Sequence, residues 1–349
     1  MRIAQISPLY ESVPPFLYGG TERIVSYLTE ELVRQGHKVT LFASGDSKTS
    51  AELVPICKRA LRLDHECIDP IAYHFIQVEK IIKHQKYFDI IHSHTDYFGF
   101  FLGRRTHVPV VSTLHGRLDF KEHKYIFNEY REMPLISISD TQRTPLLGAN
   151  WIATVYHGLP TDLYSLNKQG GDYLIYVGRI SPEKRVDSAI EIAIKSDIQL
   201  KIAAKVDKVD RKYFEEKIRP LMKHPLVEFL GEINDEEKNK LIGSAFALLY
   251  PIDWPEPFGL AMIEAMACGT PVIARRRGSI PEVVDHGITG YIFERDEEAV
   301  FYIKNFLHNF SRSLCRQHFE YRFSAKRMAR DYINIYNVVL NEIERKKVA

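Results

Sequence analysis

Short apolar runs recur along the chain, each closing on polar residues or glycine. The first, "RIAQIS", is followed by a glycine loop and an amphipathic helical pattern, "YGGTERIVSYLTEELVRQGH", that stops at Gly36 before the next run, "KVTLFAS". "FDIIHSH", "VPVVSTLHG", "PLISIS" and "WIATVYHG" continue the series. Apolar strands joined by helical connections predict a parallel sheet covered on both faces. Polar and glycine residues then gather at "LYSLNKQGGD", 163–172, which reads as a linker. Beyond it the same grammar restarts with "YLIYVGR", a loop and helix in "SPEKRVDSAIEIAIKS", then "LKIAAK", "LVEFLG", "FALLYP" and "TPVIA". The pattern predicts an α/β domain over 1–165, a second over 166–323, and a C-terminal helix over 324–349 that packs back toward the first domain. Two open α/β sheets in series predict a ligand cleft outside the carboxyl ends of their strands.

Composition narrows the classes. A chain of 349 residues with 45% apolar content can bury two cores of ordinary size. Net charge is +2, and residues 1–165 hold 18 basic and 18 acidic side chains, so no basic excess points to nucleic acid. The same balance gives peripheral membrane contact no support and leaves it open. Cys57, Cys67, Cys268 and Cys315 lack metal-ligand or redox spacing, and reduced thiols in a cytoplasmic protein are the expectation. The start "MRIAQISPLY" lacks the apolar region of a signal peptide, and no run approaches membrane-spanning length, so a soluble protein is expected.

Candidate chemistry concentrates in "PIDWPEPFGLAMIEAMACGTPVIA", 251–274. Pro257 disfavours helical geometry at Glu256, which therefore sits on an extended loop. A helical pattern starts near Phe258 through Leu260, Ile263 and Ala267, Gly269 reads as the position just past its end, and "PVIA" as a short buried strand. Glu264 falls in the second turn. Between the two acids lie the backbone N–H groups of Phe258, Gly259 and Leu260, the positive end of a helix dipole. A glutamate in a first turn can serve the dipole alone. Two acids flanking this proline, glycine and helix start instead describe an anion site with hydrogen-bond acceptors on both sides, which suits a sugar nucleotide.

Other motifs fall after predicted strands. In "GRISPEK", Arg179 and Lys184 flank a helix start, and two cations there could neutralise a diphosphate. "YGGTE" sets Gly19 and Gly20 ahead of a helix, as a phosphate turn or a plain tight turn. In "DIIHSHTD", His92 and His94 share one strand face, with Asp96 or His115 as the further partner a metal would need; hydrogen-bonding cleft residues are the stronger reading, and no metal is expected. His115, beside Gly116, is the better candidate for touching substrate.

Taken together, these residues resemble the retaining glycosyltransferases of family 4, whose GT-B fold places two Rossmann-like domains face to face. "EPFGLAMIEAMACGTPVIA" matches the E-x7-E signature and "GRISPEK" the Gly-Arg…Lys motif, while "YGGTE", "STLHG", "HGLPTDLY" and "GSIPEVVDHGITGYIF" fall in family order. The resemblance implies that Glu256 binds hydroxyls of the donor sugar and Glu264 the nucleotide ribose, with the amides of Phe258, Gly259 and Leu260 on sugar and phosphate. Arg179 and Lys184 would hold the diphosphate, His115 would lie near the reacting sugar, Gly19 and Gly20 would line the acceptor side of the diphosphate, and backbone around Ile233 would meet the base. Arg185 replaces the family's glycine after the motif lysine, "AAKVDK" puts Lys205 where a glycine turn is common, and His157-Gly158 replaces Asn-Gly. The implied reaction moves a hexose from a nucleoside-diphosphate sugar, UDP-glucose by family frequency, to an unidentified acceptor hydroxyl with retention and without a cofactor. A sugar-nucleotide epimerase of the same fold and a non-catalytic sugar-nucleotide binding protein are the alternatives.

Overall fold

The computed structural model describes residues 1–17 and 19–348; Tyr18 of "YGGTE" and Ala349 lie outside the described residues. Two parallel sheets organise the chain. In the first, β1 (Arg2–Ile6), β2 (Lys38–Ala43), β3 (Glu52–Pro55), β4 (Ile90–Ser93), β5 (Val110–Thr113), β6 (Leu135–Ser137) and β7 (Trp151–Thr154) run in the order β3-β2-β1-β4-β5-β6-β7. In the second, β8 (Leu174–Arg179), β9 (Leu200–Lys205), β10 (Val227–Gly231), β11 (Ala247–Tyr250), β12 (Val272–Arg275) and β13 (Gly290–Phe293) run β10-β9-β8-β11-β12-β13. Each is a Rossmann-like order, in which the chain starts centrally, winds to one edge, then returns to wind to the other.

Consecutive burial explains why the central strands read as unbroken apolar runs. Leu174, Ile175 and Tyr176 are all buried, so both faces of the second sheet are covered. The edge strands β3 and β13 were not legible as strands. Glu52–Pro55 is four residues long with exposed ends, and pairs only with β2. Gly36 and Gly269 end their helices with φ of +85° and +77°, the left-handed geometry that glycine adopts without strain.

The chain divides into two compact units, Met1–Gly158 with the helix Ala325–Val348, and Leu159–Ser324. The boundary therefore falls upstream of 165/166, and the polar stretch 163–172 is a packed loop of the second unit rather than a linker. Leu159 N–H donates to the Phe323 carbonyl at 2.8 Å. Arg312, buried, donates to the carbonyls of Asn167 (2.6 Å), Gly243 (2.7 Å) and Ala245 (3.0 Å) and to Thr270 Oγ1 (2.6 Å). One guanidinium thus ties that loop to the rest of the unit. Arg312→Leu leaves several buried acceptors without a donor, and urea denaturation is expected to show a loss of at least about 3 kcal/mol, since each such group costs about 1–3 kcal/mol.

Candidate functional site

In the second unit, β8 and β11 are the neighbours between which the strand order reverses, and their carboxyl ends carry Arg179 and Tyr250. Glu256, on the loop after β11, is gripped from three sides. Its carboxylate accepts from the Lys184 ammonium, from Trp254 Nε1 at 2.9 Å and from the Tyr250 hydroxyl. Lys184 also lies over the Trp254 ring, 4.8 Å from its centroid. Burial, and then the nearby Glu256 charge, hold the Tyr250 phenol far above its ordinary value, so it stays a donor.

The backbone of this loop is equally fixed. Ser279 N–H donates to the Glu256 carbonyl at 3.0 Å, and Ser279 Oγ to the Phe258 carbonyl at 2.9 Å. Gly278, at φ +51°, lies so close that a Cβ there would sit 2.4 Å from Glu256 N and O. The Phe258 side chain is core, packed edge-on against Phe323 at 6.0 Å, so only its backbone remains for a ligand. Gly259, at φ +86°, precedes the helix Leu260–Ala267, whose start no side chain caps. Its first N–H groups lack upstream helical partners, which makes a helix start of this kind suited to an anion.

Glu264 is 4% exposed, and its carboxylate accepts from Lys238 Nζ at 2.7 Å. Lys238 comes from the helix Asp235–Gly243, which the sequence reading missed because the segment is almost wholly polar. A signal was present: Asn234 and Glu237 form a reciprocal capping box at 3.0 Å in both directions. Ile233, half-buried, lies immediately before that cap. Arg179 and Lys184 are held by different acids. Arg179 contacts Glu183 at 2.7 Å, Asp207 at 3.6 Å and Asp210 at 3.7 Å, while Lys205 contacts Asp207 at 3.3 Å. Arg185 adopts a left-handed backbone, φ 50°, and bonds Asp187 at 3.0 Å.

In the first unit, Gly19 precedes the helix Gly20–Arg34 at φ +150°, where a Cβ would sit 2.8 Å from Pro15 Cβ; Gly20 is exposed. A buried chain of polar groups runs from the C-terminal helix to His115. Gln5 Nε2 donates to the Tyr336 hydroxyl at 3.3 Å, and Gln5 Oε1 lies 2.8 Å from His94 Nε2. A carbonyl oxygen only accepts, so His94 carries its proton on Nε2. His94 Nδ1, 2.8 Å from His115 Nε2, must then accept, which puts the His115 proton on Nε2 as well. His115 Nδ1 is left with a lone pair and no partner among the described residues. His92 is fully used, by Tyr336 on Nδ1 and Thr113 on Nε2, each at 2.7 Å. His157 stacks on His115 at 5.2 Å, and Arg327 donates to its carbonyl at 2.9 Å. The histidines expected at the strand ends therefore form one hydrogen-bonded cluster.

Burial holds His92, His94 and His157 well below the ordinary imidazole value and lowers His115 to about 3. In the unfolded chain such rings take up protons as pH falls through about 6.5, while the folded rings stay neutral. The unfolded state then binds more protons, and stability falls with pH. Glu22 and Asp96, raised by burial to about 7 and about 6, act in the opposite sense, their contributions being lost as pH rises from 4.5 toward 7 and from 3.8 toward 6. The four rings outweigh them. The unfolding free energy from urea denaturation is expected to drop between pH 7 and 5, by up to about 1.4 kcal/mol per ring per pH unit; a level profile would contradict neutral rings.

The comparisons agree with this geometry. The family model described as Glycosyltransferase Family 4 matches residues 18–144, and that described as Glycosyl transferases group 1 matches 164–320. An uncharacterized glycosyltransferase of Methanocaldococcus jannaschii is 25% identical, over 86% of this chain and 87% of its own. A probable sucrose-phosphate synthase of Thermosipho melanesiensis is 30% identical over 65% of this chain, which spans only 55% of that protein. The crystal structure of Anabaena Alr3699/HepE in complex with UDP-glucose superposes with a TM-score of 0.75 at 18% identity, over 97% of this chain and all of that one (100%). With two Rossmann-like sheets, an E-x7-E pair around a helix start and both family models in chain order, the protein belongs to the family 4 glycosyltransferases of GT-B fold.

Proposed function

We propose that the protein transfers a hexose from a UDP-sugar, UDP-glucose or a close relative, to an acceptor hydroxyl with retention at the anomeric carbon. The observation that carries the reading is the pair of acid–base couples, Lys184 with Glu256 and Lys238 with Glu264, that flank the uncapped start of the helix Leu260–Ala267. Glu256 would take hydroxyls of the hexose and Glu264 those of the ribose. Lys184, Arg179 and the helix N–H groups would take the diphosphate, and the donor would replace the ion pairs that orient these side chains in its absence. UDP as the nucleotide draws support from the UDP-glucose complex of the structural neighbour.

In the reaction, the acceptor oxygen forms a bond to the anomeric carbon as the carbon–phosphate-oxygen bond breaks. The electron pair of that bond leaves with UDP, and the departing phosphate oxygen takes the acceptor proton. Lys184, Arg179 and the helix start stabilise the charge that develops there, which is where electrostatic catalysis acts. Half-buried, oriented cations suit this task better than mobile surface ones, since little reorganisation is left for the transition state. Acceptor-dependent UDP release from UDP-glucose tests the activity, and separates it from an epimerase, which needs no acceptor, and from a binding protein, which releases nothing.

Arg179→Ala or Lys184→Ala is expected to lower turnover by roughly 10²-fold, the scale of one transition-state charge contact; an active double variant would remove both from the mechanism. The two glutamates are expected to differ. Glu264→Gln should chiefly weaken UDP binding, by about 1–3 kcal/mol in calorimetry. Glu256→Gln should lower kcat more than UDP affinity, because its partner is the sugar that departs. The reverse pattern would mean that the donor lies in the opposite direction.

A further inference from the structure

The aromatic residues between 96 and 127 have no part in the donor reading, yet they line two hollows in the first unit. One, of about 310 Å³, is walled by Asp96, Tyr97, Gly116, Arg117, Phe120 and His123 among others. A larger one, of about 710 Å³, shares Tyr97, Phe120 and His123 with it and adds Tyr125 and Glu122. Asp96 follows β4, and Gly116 follows β5 directly after His115, so the smaller hollow opens where open α/β sheets carry ligands. A Cβ at Gly116 would meet nothing within 4 Å. The space beside His115 is open because that position is glycine.

The chemistry of the wall selects its occupant. Its aromatic part is a packed unit, with His123 edge-on to Phe120 at 5.1 Å and to Tyr97 at 6.3 Å. Its one arginine is engaged: Arg117 is held by both Asp119 oxygens, at 2.7 and 2.6 Å, and lies 4.8 Å from the Phe120 ring centroid. No lysine is among the described residues lining these two hollows, whereas Asp96 and Glu122 are. A phosphorylated or carboxylated ligand would meet like charge there and would have to displace Asp119. Hydrogen-bonding capacity remains at the Asp96 carboxylate, on a left-handed backbone of φ 48°. Flat aromatic faces beside the carboxylates of Asp96 and Glu122 suit a molecule with apolar C–H faces and a rim of hydroxyls. A pyranose ring has both.

We propose that this pocket holds a neutral pyranose ring of the acceptor, so that the bond formed links the transferred hexose to another sugar. The assignment rests on the glycosyl-transfer reading above. Saturation-transfer NMR with methyl α-glucopyranoside, methyl α-mannopyranoside and cellobiose, against glucose 6-phosphate as the anionic counterpart, reads contact with the ring. Calorimetric titration of UDP into the same samples reads the second unit independently. A neutral glycoside is expected to show transfer, and glucose 6-phosphate less. Gly116→Leu fills open space without a clash, and Phe120→Ala alters a side chain that is 47% exposed, so both should fold. Phe120→Ala should weaken glycoside contact by about fivefold, the scale of one aromatic contact, and Gly116→Leu, which adds bulk at a lining position, should weaken it too, both with UDP affinity unchanged. The proposal is overturned if UDP binds but no neutral glycoside does, if contact survives both variants, or if glucose 6-phosphate is preferred. Glycoside contact that Gly116→Leu abolishes, in a protein that does not bind UDP, would support the pocket and sink the donor reading.

Discussion

Every strand pairing in both sheets is parallel, and that constraint orders everything else. A parallel strand must be followed by a crossover, so all strands of a sheet end on the same edge and their loops gather there. Arg179, Tyr250, His94, His115 and Asp96 all lie at or just past strand ends for this reason. The helices that return the chain start on the same side, which brings the uncapped start of Leu260–Ala267 to the loop bearing Glu256.

Charge is managed differently in the two units. The second holds opposite charges in couples: Lys184 with Glu256, Lys238 with Glu264, and Arg179 among three acids. Half-buried charges are costly alone, and pairing compensates them and holds them oriented for a ligand that carries charge of its own. Around His115 the first unit uses neutral groups instead. Burial keeps His92, His94, His115 and His157 neutral, and the protons of His94 and His115 are fixed by hydrogen bonds that run from Gln5. One amide orientation thereby decides which nitrogen a distant imidazole presents. The hollows alongside are lined by aromatic rings and by Asp96 and Glu122.

Much of this was legible in the residues. The apolar runs marked the central strands because strands buried on both faces cannot alternate. Pro257 and Gly269 bounded the helix that carries Glu264 because proline and glycine act through local sterics. Harder to read were β3 and β13, edge strands of only four residues each, too short to set up a period. The helix Asp235–Gly243 was hidden by its polarity, and Lys238 with it.

What the sequence determined by itself, then, was local: where strands and helices begin and end, and which motifs sit at their ends, since backbone sterics and hydrophobic period act over a few residues. Tertiary structure alone decided the partners. Lys184 and Glu256 are 72 positions apart, and His92 and Tyr336 are 244 apart. It also decided that 163–172 is held as a packed loop by Arg312, that Phe258 offers only its backbone, and that His115 Nδ1 is the open nitrogen. Pairing, burial and tautomer depend on which groups the fold brings within hydrogen-bond distance, and no spacing along the chain encodes that.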